Sequence, residues 1–423
     1  METYATFLSY AIPGFVLLIL IESVAAKLMG MKINTGLDTI ASLSSGMTNT
    51  LKSILGLSVV IVSYDWMVGK MALVEIPSTV WVYLACFVLV DFAAYWSHRF
   101  NHEINLFWNR HIVHHSSEEF NLACALRQTI AAFVGIYFFL NIPMALLGIP
   151  TKVLAIVAPL HLFAQFWYHT RLIKRMGFLE HILVTPSHHR VHHAINNEYL
   201  DKNYAAIFIV WDKWFGTFQE EMEDVPAVYG TKKPVNTWNP FLINFMHVWG
   251  IAKDAWRTSN WWDKLRIWFM PTGWRPEDVK AKFPIHSWEH AEEQIKYTTP
   301  ASPMLQAWSW VQLLINNLFL YHLLVSIGDL NATEIILYAL YIGIGIFAYT
   351  SLMDRHPVSV AAEGFRLLLA VKILFQSGDW FGLESVMGSA SLLVGLYAAL
   401  SFGLTLYFTF YEKGVETKGA TIE

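Results

Sequence analysis

Residues 78–102 read STVWVYLACFVLVDFAAYWSHRFNH. A long, predominantly apolar run leads straight into two histidines, His98 and His102, four positions apart. About twenty such residues cross roughly 30 Å of hydrocarbon as a helix. The stretch therefore predicts a transmembrane helix that delivers a pair of imidazoles to one membrane face. The rest of the chain agrees. It has 423 residues, 55% of them hydrophobic and 15% charged, which is too apolar for a typical soluble enzyme of this length. A net charge of −4 argues against nucleic acid, which needs clustered positive charge. Cys86 and Cys124 stand far apart, so neither a disulfide framework nor a thiolate metal site is expected. The N-terminal METYATFLSYAIPGFVLLILIESVAAK lacks a basic leader, and its apolar run exceeds a signal-peptide core. It reads as a retained transmembrane helix.

Nine apolar runs have the character of spans: 6–26, 46–66, 78–97, 128–148, 152–168, 305–327, 332–350, 359–376 and 388–411. Positive charge favours the cytoplasmic side of a membrane. Lys27 and Lys32 then place the first loop inside, and helix three brings His98 to the same side. The next two runs go out and back, so residues 169–193 emerge on that face too, followed by the polar stretch 169–304. The loops GDLN (328–331) and SGDWFGLES (377–385) lack Lys and Arg and fall outside, whereas DRH (354–356) and the C-terminal EKGVETKG fall inside. The expected fold is all-α: a polytopic integral membrane protein with a cytoplasmic-facing, histidine-rich helical domain. Four regions follow: anchoring helices over 1–75, the histidine-bearing domain over 76–220, a Trp-rich cytoplasmic or interfacial segment over 221–300, and C-terminal transmembrane helices over 301–423. In the third region, SNWWDKLRIWFMPTGWRP (259–276) reads as an interfacial helix with its Trp, Lys and Arg at headgroup level.

Twelve of the seventeen histidines lie between residues 98 and 193. They form HRFNH (His98, His102), HIVHH (His111, His114, His115) and HRVHH (His189, His192, His193). Positions three and four apart share a helix face, so each group should aim two or three imidazoles at one point. A lone histidine in such a protein is usually an interfacial side chain, and His247, His286, His290, His322 and His356 are read that way. Two HxxHH groups on one face are not explained so. His169, where the inbound helix should leave the bilayer, is a ninth candidate, while His181 and His188 are left open. Imidazole suits Zn, Cu, Fe and Ni. Eight nitrogens exceed the four ligands of a structural zinc and the three of a catalytic one. The Glu and Glu-x-x-His pattern of soluble di-iron bundles is missing. A nitrogen-rich centre of two Fe ions fits better. Ligating histidines usually donate their other N–H to a carboxylate or carbonyl. Asp91, Glu103, Glu118, Glu119 and Asp201 are the nearby carboxylates, with Glu103, next to His102, expected to matter most.

The eight-histidine pattern HX3H, HX2HH, HX2HH resembles that of the fatty acid hydroxylase/sterol desaturase superfamily of membrane di-iron oxygenases. Within it, the chain looks most like the alkylglycerol monooxygenase branch, through HRFNHEINLFWNRHIVHHSSEEFNLACALRQ (98–128), TPSHHRVHHAINNEYLDKNYAAIFIVWDKWFGTF (185–218), WNPFLINFMHVW and DKLRIWFMPTGWRP (263–276). The sequence NYAA (203–206) departs from that pattern where a glycine is expected. The resemblance implies O2-dependent hydroxylation of a lipid C–H bond beside an ether oxygen, with tetrahydrobiopterin as reductant and Glu103 as a catalytic residue. No pterin site is visible in the sequence itself. A sterol, fatty acid or carotenoid hydroxylase or desaturase fed by a separate electron-donor protein is the competing enzymatic reading. A metal or small-molecule transporter is the reading from another class, and a zinc-stapled scaffold a third. Against transport, the histidines gather at one face and the helices lack paired Gly/Pro breaks near the midplane.

Overall fold

The computed structural model describes residues 2–412, and the expected cytoplasmic end EKGVETKG lies largely outside the described residues. Those residues form helices and loops with isolated β-bridges and no strand. α1 (Glu2–Leu28) and α2 (Gly36–Ile54) lead to the short α3 (Tyr64–Met71) and then to α4 (Val80–Glu103), whose C-terminal end carries His98 and His102. Two single turns follow, α5 (Asn105–Trp108) and α6 (Ile112–His115). Next come α7 (Ile142–Leu146), α8 (Thr151–Phe163), α9 (Pro186–His193) and α10 (Val210–Phe215). α11 (Pro240–Arg257), α12 (Trp261–Arg266) and α13 (Glu277–Lys282) make up the Trp-rich region. The C-terminal bundle is α14 (Pro303–Ser326), α15 (Ala332–Met353), α16 (Val358–Ser377) and α17 (Ala390–Leu406).

Four helical stretches among the described residues are long and apolar enough to cross a membrane: Thr6–Leu28, Val80–Glu103, Ala332–Met353 and Ala390–Tyr411. This corrects the nine runs. Run 46–66 breaks because α2 stops at Ile54, and Gly56 turns the chain at φ +62°. Val59 then pairs edge to edge with residues 133–135 through Val59 N–H to Phe133 O and Gly135 N–H to Val59 O. Run 128–148 holds only the five-residue α7, and α8 has 13 residues, about 20 Å of helix at 1.5 Å per residue. Gly148 closes the turn between them at φ +69°, where an added Cβ would sit 1.9 Å from the Val74 carbonyl oxygen. Hydropathy detects apolar character but not the breaks that shorten a helix.

α14 and α16 are long enough to span, yet they carry polar side chains that face one another. Arg366 on α16, with 1% of its side chain exposed, donates to Glu363 (3.1 Å) and Tyr397 (3.1 Å) and approaches Gln312 and Asn316 of α14. Charges inside a bundle are tolerated when paired in this way. Removing one partner leaves the other buried and uncompensated, a loss of about 3–5 kcal/mol. Arg366→Ala should therefore lower the thermal midpoint of the detergent-solubilised protein sharply, whereas Lys280→Ala, at an exposed pair, should leave it within error. Equal midpoints for the two variants would contradict this reading.

The Trp-rich region does more than edge the molecule. Trp256, Trp261 and Trp262 are exposed, as an interfacial belt requires. The stretch after α12, however, clasps the end of α4: Asn105 N–H donates to Met270 O, Leu106 N–H to Trp268 O, and the Thr272 hydroxyl to His102 O. The backbone that presents the first histidine pair is held from a distance of 170 residues.

Candidate metal centre

Four pieces of chain bring the histidines together. The C-terminal end of α4 supplies His98 and, in its last turn, His102, and α6 with the residue before it supplies His111, His114 and His115. The turn after α8 supplies His169, and α9 supplies His189, His192 and His193. α9 begins at Thr185 with Pro186 at its first position, where the missing N–H costs nothing. Arg190 fixes it to the His169 segment by donating to the carbonyls of Thr170 and Ile173, while pairing with Glu221 at 2.6 Å.

The nine imidazoles fall into two adjoining clusters. His98, His102, His111, His115 and His192 form one; His114, His169, His189 and His193 form the other. Within each, one ring nitrogen per residue lies within 4.8 Å of all the rest. Each box aims two of its histidines at one point, as its spacing leads one to expect, but the third of each HxxHH box turns to the other cluster. In both HxxHH boxes the i, i+4 pair goes to one cluster and the middle histidine to the other: His111 and His115 against His114, and His189 and His193 against His192. The boxes interleave, and the clusters meet where His115 stacks on His193 at 4.3 Å.

Backbone carbonyls orient the rings. His98 Nδ1 donates to Tyr204 O (2.7 Å), His192 Nδ1 to Lys202 O (2.9 Å), His169 Nδ1 to Gln165 O (3.0 Å), and His114 Nδ1 to Arg127 O (3.3 Å). Each such bond places the proton on Nδ1 and leaves a bare lone pair on Nε2. Each of these four Nε2 atoms faces the Nε2 of a second histidine: His98 and His111 are 2.7 Å apart, His169 and His189 2.8 Å, His114 and His193 3.0 Å, and His192 and His115 3.1 Å. A cation among them would hold these nitrogens together as ligands. An ion about 2.1 Å from two nitrogens at right angles holds them about 3.0 Å apart. His102 Nε2 is buried in the first cluster without any hydrogen-bond partner, as a ligand atom would be. The donor set fits a metal. Burial holds His111, His114, His115, His189, His192 and His193 well below the ordinary imidazole range, with the neighbouring imidazoles acting in the same direction, and burial brings His169 to about 4. The rings are neutral at physiological pH, the state a ligand requires.

The carboxylates are placed differently from expectation. Glu103 does not touch a histidine; it pairs with Arg99 at 2.8 Å on a partly exposed helix end. Position i+1 on a helix points away from position i, so adjacency to His102 in sequence carried it off the site. The carboxylate near His102 is Asp201, 3.7 Å from Nδ1. Asp91 accepts from His161 (2.7 Å), from the Ile207 and Phe208 N–H groups and from Trp211, a structural knot outside the clusters. Glu118 accepts from Tyr297 N–H, and Glu119 pairs with Arg171 and Lys296. His188 is used at the start of α9, where its Nδ1 accepts from Thr185 N–H, and His181 lies exposed. Of the five histidines read as interfacial, His247 donates to Asn105 O and His322 approaches Tyr338.

Sequence reasoning missed Asp38 and Arg127. Their buried ion pair (2.7 Å) joins α2 to the loop whose Arg127 carbonyl holds His114, and Ser42, Ser116 and Ser117 complete the network. Nothing local in the sequence marks Asp38, which lies 89 residues from its partner.

An all-helical membrane protein with interleaved histidine clusters is the architecture of a lipid-hydroxylating membrane oxygenase, and residues 83–217 match the family model described as Fatty acid hydroxylase. The chain is 33% identical to alkylglycerol monooxygenase of Homo sapiens over 396 residues, covering 93% of this chain and 88% of that one. It is 36% identical to the Xenopus tropicalis enzyme of the same name over 84% of this chain and 79% of that one. It also resembles the ornithine lipid hydroxylase OlsE of Rhizobium tropici, at 31% identity over 31% of this chain and 40% of that one. The chain belongs to the alkylglycerol monooxygenase family, and is an oxygen-dependent, lipid-directed monooxygenase of the membrane whose histidine clusters point to iron. No solved structure matches it.

Proposed function

We propose that this chain cleaves O-alkyl glycerol ethers, with two iron ions held by the two histidine clusters and a tetrahydropterin as reductant. The observation that carries the reading is the pair of adjoining clusters of converging imidazole nitrogens, five residues in one and four in the other. The names of the relatives supply the substrate class. Iron bound there supplies dioxygen activation. The net reaction replaces the C–H next to the ether oxygen by C–OH. One oxygen atom comes from O2, and the other leaves as water with two electrons and two protons from the reductant. The hemiacetal so formed breaks its C–O bond to give a fatty aldehyde and glycerol.

The chain's own residues set the conditions. Carbonyl-oriented rings hold their Nε2 atoms preorganised, and the buried walls around them exclude water. Glu103 acts in this reading as a positioning residue, through Arg99 and the Tyr95 hydroxyl it reaches. This reading puts the site on the cytoplasmic face: Lys27, Lys32, Arg171, Lys174 and Arg175 flank apolar stretches in the sequence, and Arg171 bonds to Lys32 O. The pterin is preferred over a separate electron-donor protein on the family likeness alone.

The test is turnover of purified, iron-loaded protein with O2, tetrahydrobiopterin and octadecylglycerol, read as fatty aldehyde. Pterin-dependent aldehyde is expected. Hydroxylated sterol or fatty acid with a protein donor, and no aldehyde from the ether, would replace this reading with the other enzymatic one.

A further inference from the structure

An apolar cavity of about 520 Å³ opens beside the C-terminal bundle, away from the histidines. α2 contributes Leu51 and Leu55, the 130–133 loop Ile130 and Phe133, and α15 with α16 the opposite wall. Its size lies within the range of about 300–1,000 Å³ for small-molecule sites. One cation lines it: Lys52, half-buried, near Arg110. Burial and the nearby guanidinium depress the Lys52 ammonium.

The cavity is tied to the metal centre by short links. Arg110 immediately precedes His111. Ile130 is three residues from Arg127, whose carbonyl holds His114, and three residues of chain span at most about 11 Å. Ile130 and Ala131 N–H groups both donate to Asn244 Oδ1, and Asn109, two residues before His111, donates to Asn244 O. On the α15 wall stands Gly343, where an added Cβ would meet Leu51 Cδ1 and Phe241 Cζ at 3.8 Å, ordinary contact. A larger side chain there has room to start and must continue into the cavity.

We propose that this cavity seats the far end of the hydrocarbon chain of the lipid substrate, whose ether end lies toward the histidine clusters, and that Gly343 sets the chain length accepted. The proposal rests on the ether-lipid reading above. A filled slot leaves long chains no place, while short chains still reach the metals. Discrimination of about tenfold or more accompanies the loss of room for even one methylene in an apolar pocket.

Two measurements test it on the full-length protein in detergent. An octadecylglycerol analogue with a terminal diazirine, photolysed on the wild type, should label the 130–133 loop or α15, and excess octadecylglycerol should displace it. Gly343→Phe should abolish that labelling and lower kcat/KM for octadecylglycerol at least about tenfold relative to dodecylglycerol. Gly343→Ala should fold and behave as wild type, and Ala362→Leu, on α16 of the same wall, should repeat the effect if the Phe variant misfolds. Labelling elsewhere, an unchanged chain-length profile, or labelling by a diazirine phosphatidylcholine that octadecylglycerol does not displace would overturn it, the last by marking a resident bilayer lipid. Displaceable labelling without aldehyde from either ether would support the cavity and sink the ether-cleavage reading instead.

Discussion

His114→Ala is expected to empty one metal position and abolish turnover. His114 Nε2 stands 3.0 Å from His193 and 3.3 Å from His169, so it is common to the contacts of the four-histidine cluster. Without it the remaining three nitrogens lose the member that closes the set, while the five-histidine cluster keeps all its residues. Metal content should fall from about two ions per chain toward one. Activity should drop by about 10³-fold or more, since groups acting as a unit fail together. His290→Ala, at an exposed residue outside both clusters, is the control and should keep metal and activity. A His114→Ala protein that retains full metal content would remove this residue from the ligand set.

The second large effect is expected at a pair with no ligand atoms. Asp38 and Arg127 are buried together at 2.7 Å, and Arg127 also donates to the hydroxyls of Ser42 (2.9 Å) and Ser116 (2.7 Å), while Ser117 donates to Asp38. Arg127→Ala leaves the Asp38 carboxylate buried and unpaired, at a cost of about 3–5 kcal/mol. It also frees the loop whose carbonyl fixes the His114 tautomer. Loss of such an outer partner typically lowers metal affinity about 10–100-fold. The two consequences separate in one sample. Thermal unfolding reports the ion pair, and metal titration reports the carbonyl. A destabilised protein with undiminished metal affinity would show that the carbonyl contact does not orient His114.

The sequence made the histidine clusters legible because their signal is local. His98 and His102, the two HxxHH boxes and His169 are recognisable by residue type and spacing, and all nine converge in the structure. What spacing could not convey was how they divide. His111 and His114 stand on neighbouring faces of a single turn, and which cluster each joins is decided by where His169 and His192 arrive from distant segments. Glu103 was misplaced because adjacency in sequence is not adjacency on a helix. The helical, membrane-bound character was readable from apolar runs, but their number was not, since turns at Gly56 and Gly148 break the chain where hydropathy scores it as continuous. Asp38, Arg127 and the buried Arg366 network depend on pairings between distant elements, for which one sequence offers no marker.

The most direct test of the account is the metal content and local coordination of protein reconstituted anaerobically with ferrous iron, read together by elemental analysis and X-ray absorption. The account predicts about two irons per chain, each in a nitrogen-rich shell, with a second iron visible as a near neighbour. One tightly held zinc in a closed four-coordinate shell, or a fully folded protein that takes up no iron, would contradict it.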